Sequence, residues 1–179
     1  MPNTYTLISS NTLGSTAASV TLSSIPATYT DLMLKMSVRT SDGGFSYFNL
    51  FTNGINTGTN YSSTGLRYNL ALGAGVTSGR QSNAATWQYE ITTGNNNPST
   101  ANTFSNADIY FSNYLATTSK PISGFYVTES NSTTADFGIG IGAGQDRGTS
   151  AINSITIANL GAVVFQVNSS FYLYGIKNS

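Results

Sequence analysis

The stretch NADIYFSNYLATTSKPISGFYVTES, residues 106–130, decides how the rest of the chain is read. In its first half Ala107, Ile109, Phe111 and Leu115 fall on one parity, with Asp108, Tyr110, Ser112 and Tyr114 on the other. That is the period of a strand with one buried face, because successive side chains on an extended backbone point to opposite sides. The connecting ATTSKP ends in Pro121, which has no amide hydrogen to donate and suits the start of a strand better than the middle of a ladder. Residues 122–128 then return as the second arm of a β-hairpin.

The same alternation recurs on either side. Over residues 31–40, Leu32, Leu34, Met36 and Val38 face one way, with Met33, Lys35, Ser37 and Arg39 opposite. The following Asp42-Gly43 predicts a tight hairpin to a partner strand over 45–52, since glycine tolerates the positive φ that a primed turn requires. Shorter strands are predicted over 5–9, 18–23 (closed by Pro26), 66–72, 86–91, 136–143, 152–158 and 170–176. The polar, glycine-rich segments between 53 and 103 read as long ordered loops, anchored over the sheet by Tyr61, Tyr68, Trp87 and Tyr89.

Short strands separated by turn signals, with no helical pattern, predict an all-β fold: a two-sheet antiparallel sandwich, jelly-roll-like. An Asp-Gly hairpin places its strands in one sheet, whereas jelly-roll connections cross between sheets, so the strand order stays open. Leu32, Leu34, Met36, Val38, Ile109, Phe111 and Leu173 are the predicted core. At 179 residues the chain reads as one domain, 1–179, with residues 1–10 a short N-terminal arm. A domain of this size buries about 70% of the surface of its unfolded chain, enough for a substantial core.

Composition then removes whole classes of function. Charged residues make up 8% of the chain, seven basic against seven acidic, so there is no basic field to attract nucleic acid or an anionic membrane. MPNTYTLISSNT lacks a cationic segment followed by an apolar run, and no apolar run reaches the ~18 residues of a membrane helix, so neither signal peptide nor membrane span is expected. Without cysteine the fold rests on packing and hydrogen bonds in either redox environment. Only Lys35, Lys120 and Lys177 are available as lysine guards for strand edges, and near-zero net charge favours association. A homo-oligomer, a trimer in the first instance, is the expectation.

Catalysis is not expected. The absence of histidine and cysteine removes Ser-His-Asp and Cys-His nucleophile systems and every imidazole or thiolate metal site. Paired carboxylates remain, drawn from Asp31, Asp42, Glu90, Asp108, Glu129, Asp136 and Asp146, but most of these sit at predicted strand ends or turns. FGIGIGAG, residues 137–144, satisfies G-x-G-x-x-A without the helix that a dinucleotide pyrophosphate needs. Its alternating glycines read instead as a bare strand face that aromatics or another backbone approach closely. Asp42, Asp146 and the asparagines at 95–97 lack the alternating carboxylates of a calcium loop. No cofactor and no metal are expected. The remaining ligand chemistry is carbohydrate binding, for which Tyr61, Arg67, Tyr68 and Trp87 are the candidates, a lone Trp in an alternating strand being more often core.

Four segments carry a resemblance. SSIPATYTDLMLKMSVRTS (23–41), LFTNGINTGTNYSSTGLRYN (50–69), NTFSNADIYFSNYLATTSKP (102–121) and INSITIANLGAVVFQVNSSFYLYGIK (152–177) look like a domain of tailed-bacteriophage virion structural proteins, with FTNG…TNYS and FYLYGIK the most characteristic pieces. Residues 67–92 depart from that pattern. The resemblance implies a jelly-roll domain displayed on virions, as a head decoration (cement) protein or in a tail appendage. A tail-borne receptor binder is expected to carry a coiled coil or attachment domain, whereas here the strand pattern runs from Tyr5 to Ile176. The expectation is therefore a capsid decoration protein made in the host cytoplasm and bound to the major-capsid lattice of the virion. The alternative is a tail or fibre component binding host-surface glycans.

Overall fold

The computed structural model of the protein describes residues 4–41, 47–69, 75–88, 102–128 and 138–177. Eleven strands run through them: β1 (Tyr5–Thr12), β2 (Ser19–Leu22), β3 (Asp31–Val38), β4 (Phe48–Thr52), β5 (Tyr61–Asn69), β6 (Gly75–Ala84), β7 (Ser105–Phe111), β8 (Lys120–Thr128), β9 (Gly138–Asp146), β10 (Ile155–Asn159) and β11 (Ser170–Ile176). There is no helix among the described residues. Eight strands form one sheet in the order β1-β11-β3-β7-β8-β9-β5-β6, and three form a second in the order β2-β10-β4. Every pairing is antiparallel.

The alternating residues that predicted these strands also build the core. Leu32, Leu34, Met36, Val38, Ile109, Phe111 and Leu173 are all buried, on the inner face of the large sheet. Val20, Leu22, Phe48, Leu50, Ile155 and Ile157 of the small sheet join the same cluster. The hairpin of residues 106–130 is β7 and β8, paired from Asn106–Val127 to Phe111–Ile122. Its alternation stops at Phe111: Asn113 takes a φ of 49°, its amide donates to Asp31 Oδ1 at 2.7 Å, and Tyr114 is buried where the sequence pattern puts Leu115.

Two sequence expectations are corrected by the strand order. β3 and β4 are not hairpin partners: β3 lies between β11 and β7 in the large sheet, while β4 pairs with β10 in the small one. Residues 42–46, which hold the Asp-Gly, lie outside the described residues. The physical reason is the core itself, since Phe48 and Leu50 pack against the inner face of the sheet that contains β3, which they can do only from the opposite layer. Second, GAGVTSGRQSNA, read as loop, contains β6. The segment read as an N-terminal arm is, from Tyr5 onward, an edge strand bonded to β11.

Candidate docking surface

Register fixes which side chains share the outer face of the large sheet, because directly opposed residues point to the same side. One row runs Leu7, Tyr174, Met33, Tyr110, Ser123, Ala143, Thr64, Arg80 across all eight strands. The next runs Tyr172, Lys35, Asp108, Phe125, Ile141, Leu66, Ser78. A third ends in Val127, Ile139, Tyr68, Val76. Of the ten exposed large apolar side chains among the described residues, seven lie on this face: Tyr5, Leu7, Leu66, Val76, Phe125, Ile139 and Ile141. The last five gather on β5, β6, β8 and β9, with Val76 71% and Ile141 53% exposed.

β9 shows why this clustering is built in. A half-buried strand normally turns its apolar side chains to the core, yet in GIGIGAGQD the glycines face inward and Ile139 and Ile141 face solvent. The core side has no room for them. A Cβ built on Gly140 would lie 2.1 Å from Tyr126 Cε1, and one on Gly144 would lie 1.9 Å from the Ser62 carbonyl oxygen and 2.7 Å from Trp87 Nε1. Aromatic rings thus fill the interior across bare backbone, as the alternating glycines predict, and the isoleucines are left for the surface. β5 repeats the arrangement, with Leu66 exposed between the buried Gly65 and the inward-facing Arg67.

The face carries little charge. Lys35 and Asp108 pair across β3 and β7 at 2.5 Å, half-exposed, a contact worth about 0–1 kcal/mol in water. Arg80 is the further charged residue in these rows. At the end of the face Asp31 accepts from the Tyr110 hydroxyl at 2.7 Å, and burial together with that bond pushes the phenol up to about 12.

Behind the face a second polar cluster ties the layers together. Asp146 Oδ2 accepts from Thr52 Oγ1 of the small sheet at 2.7 Å, and its Oδ1 accepts from the Gly148 amide at 2.7 Å. The Tyr61 hydroxyl accepts from the Thr52 amide at 2.8 Å, and burial raises its pKa. Lys120, opposite Asp146 in the ladder, is fully buried and donates to the carbonyls of Thr118 and Gly148; desolvation lowers its pKa. The described acids are thus engaged in structure, Asp31 and Asp146 buried and Asp108 ion-paired. Asp42, Glu90, Glu129, Asp136 and residues 95–97 lie outside the described residues. No group of three or more metal-ligating side chains occurs among the described residues.

The four carbohydrate candidates are not brought together. Tyr61 and Trp87 are fully buried, so neither ring can stack on a sugar; Trp87 exchanges two backbone hydrogen bonds with Leu50 and lays its indole over Gly144. Arg67 points inward, its Nη1 donating to the Tyr47 hydroxyl, its Nε to Thr77 Oγ1 at 3.0 Å, and its guanidinium 5.6 Å from the Tyr47 ring. Only Tyr68 reaches the outer face, in the row of Ile139 and Val76. Leu66, Phe125, Ile139 and Ile141, which replace them as the exposed apolar residues, were legible in the sequence as apolar positions but not as outward ones. Compared with protein-family models, curated proteins and solved structures, the chain matches none.

Proposed function

We propose that the chain is a structural protein of a bacteriophage virion, a decoration protein that docks on the assembled major-capsid lattice through the outer face of its eight-stranded sheet. The observation that carries the reading is the inverted β9, which spends its core side on glycine and sets Ile139 and Ile141 in solvent beside Leu66, Phe125 and Val76. Contiguous apolar patches of this kind mark contact surfaces for other macromolecules. A broad sheet face on which Lys35, Asp108 and Arg80 are the solvent-accessible charges suits a broad, pre-formed partner such as a protein shell. The hollows on it, one beside Leu66, Ser78 and Ile141 and one beside Tyr68, Val76 and Ile139, are open and lined mainly by apolar surface, which fits a protein contact. The resemblance to virion structural proteins supplies the identity of the shell. Association with the assembled lattice and not with its free subunits stabilises the shell by mass action, with no bond made or broken.

A reconstruction of the particle tests this. Density for the sandwich is expected on the capsid, with the Ile141 face turned inward against the shell. Particles grown with Leu66→Ser plus Ile141→Ser are expected to lack that density, while the purified variant keeps the wild-type melting temperature. Density confined to the tail, over a bare capsid, refutes the assignment.

A further inference from the structure

We infer that β6 is the site at which a second copy of this chain adds, edge to edge, to make a twofold dimer with one continuous sheet of double width. Among the described residues β6 pairs only with β5, so one side of its ladder presents unpaired N–H and C=O groups. Such an edge templates another strand unless it is guarded by charge, proline or a bulge. The two edges of the sheet differ in this respect. β1 has its irregularity in mid-strand, where Leu7 faces Tyr174 and Ser9 faces Leu173, leaving Ile8 unmatched. β6 is regular from Gly75 to Gln81 and bulged only beyond, where Ser82 and Asn83 together face Ser62 and Asn83 takes a φ of 59°. It contains no proline and one charged residue, Arg80.

The edge selects a copy of itself. The regular run is centred on Ser78, and antiparallel pairing about that residue sets 75 against 81, 76 against 80 and 78 against 78. Each Arg80 then meets a Val76, so the only cations on the strand are kept apart, and the chain's zero net charge adds no repulsion between copies. Opposed residues in this register have the same parity. The outer faces of both copies therefore lie on one side, and the apolar patch, whose most exposed member Val76 sits on the edge strand itself, continues across the axis. The pairing is twofold, not the threefold of the sequence expectation; head-to-tail joining of β6 to β1 would instead give a ring or filament. It rests on the edge alone and holds whatever the outer face docks against.

The chain has no cysteine, so single substitutions report the contact without background. Sedimentation of the full chain is expected to give twice the 18.8 kDa chain mass. Ser78→Cys is expected to form a disulfide-linked dimer under mild oxidation, since residues opposed at the axis fall within disulfide reach, while Ser10→Cys on β1 does not. Ser78→Lys places two ammonium groups face to face and is expected to sediment at the single-chain mass with an unchanged circular dichroism spectrum. A wild-type monomer or trimer overturns the inference. So does equal cross-linking at Ser10, a dimer in which Ser78→Cys fails to cross-link, or a Ser78→Lys chain that stays dimeric.

Discussion

At the scale of single residues, the decisive positions are those where a side chain is missing. Gly144→Ala would press a methyl group against the Ser62 carbonyl, which belongs to the neighbouring strand and cannot swing aside as a flexible side chain would. The expected cost is about 1–3 kcal/mol, the usual range for overpacking, read as a lowered denaturation midpoint with an unchanged slope. Phe111→Ala removes a fully buried ring and is expected to cost about 3–5 kcal/mol by the same measurement. Titration gives a third test. Burial raises the phenols of Tyr61, Tyr110 and Tyr114 above 10.0, with Tyr110 at about 12, so the folded state holds these protons more tightly than the unfolded chain. Their stabilisation is whole below pH 10 and falls away as the pH climbs towards 12. Lys120 has the opposite sign: its lowered pKa means that the folded state holds this proton less tightly than the unfolded chain, so its contribution to stability rises with pH through the window below 10.5 and is level above it. Thermal melts are expected to show a decline that sets in above pH 10 and is shallower in Tyr110→Phe; an equal slope in both proteins would remove Tyr110 from the account.

At the scale of elements, β4 and β10 are pinned by one asparagine. Asn53 follows β4 with a φ of 53°, its Nδ2 donates to the Ala151 carbonyl at 2.9 Å, and its Oδ1 accepts from the Asn153 amide at 2.8 Å. Asn53→Gly keeps the backbone free to take that φ and deletes only the bonds; a loss of about 1–3 kcal/mol in chemical denaturation is expected. What could be read from sequence followed the same logic of local signals. β3, β7 and β11 set apolar residues on every second position, so one strong period marks them and their core residues, whereas β8 is marked as the return of the hairpin and its run Phe125-Tyr126-Val127 hides that Ile122 and Tyr126 are the buried side. β6 carries one large apolar side chain, Val76, and otherwise the composition of a turn, because an edge strand with neither face in the core has no pattern to show. β5 is legible only from Leu66, its start hidden in YSSTG, where two of the three buried inner positions are Ser63 and Gly65 and only Tyr61 is large. The candidate site failed to show for a related reason. Period two says that Ile139 and Ile141 share a face but not which face, and it took Tyr126 and Trp87, distant in sequence, to decide that the glycines go inside.

At the scale of the whole molecule, the proposed contact makes a thermodynamic prediction that separates it from an electrostatic one. The described outer face offers Leu66, Val76, Phe125, Ile139 and Ile141 against Lys35, Asp108 and Arg80, two of which already neutralise one another. Binding through such a face is driven by removing apolar surface from water, a force that is nearly indifferent to simple salt and is strengthened by sulfate, which is excluded from protein surfaces. Charge-steered binding behaves in the contrary way, since the Debye length shrinks from about 10 Å at 0.1 M salt to about 3 Å at 1 M. Calorimetry of the purified chain with empty capsids is therefore expected to give an affinity that changes less than about threefold between 0.1 and 1 M sodium chloride, rises in sodium sulfate, and carries a negative heat-capacity change. Ile141→Ser should reduce the magnitude of that heat-capacity change, whereas Lys35→Ala, which removes a half-exposed cation from the same face, should leave it unaltered. An affinity that collapses with sodium chloride, or a heat-capacity change indifferent to Ile141, would move the contact off this face and onto the polar loops.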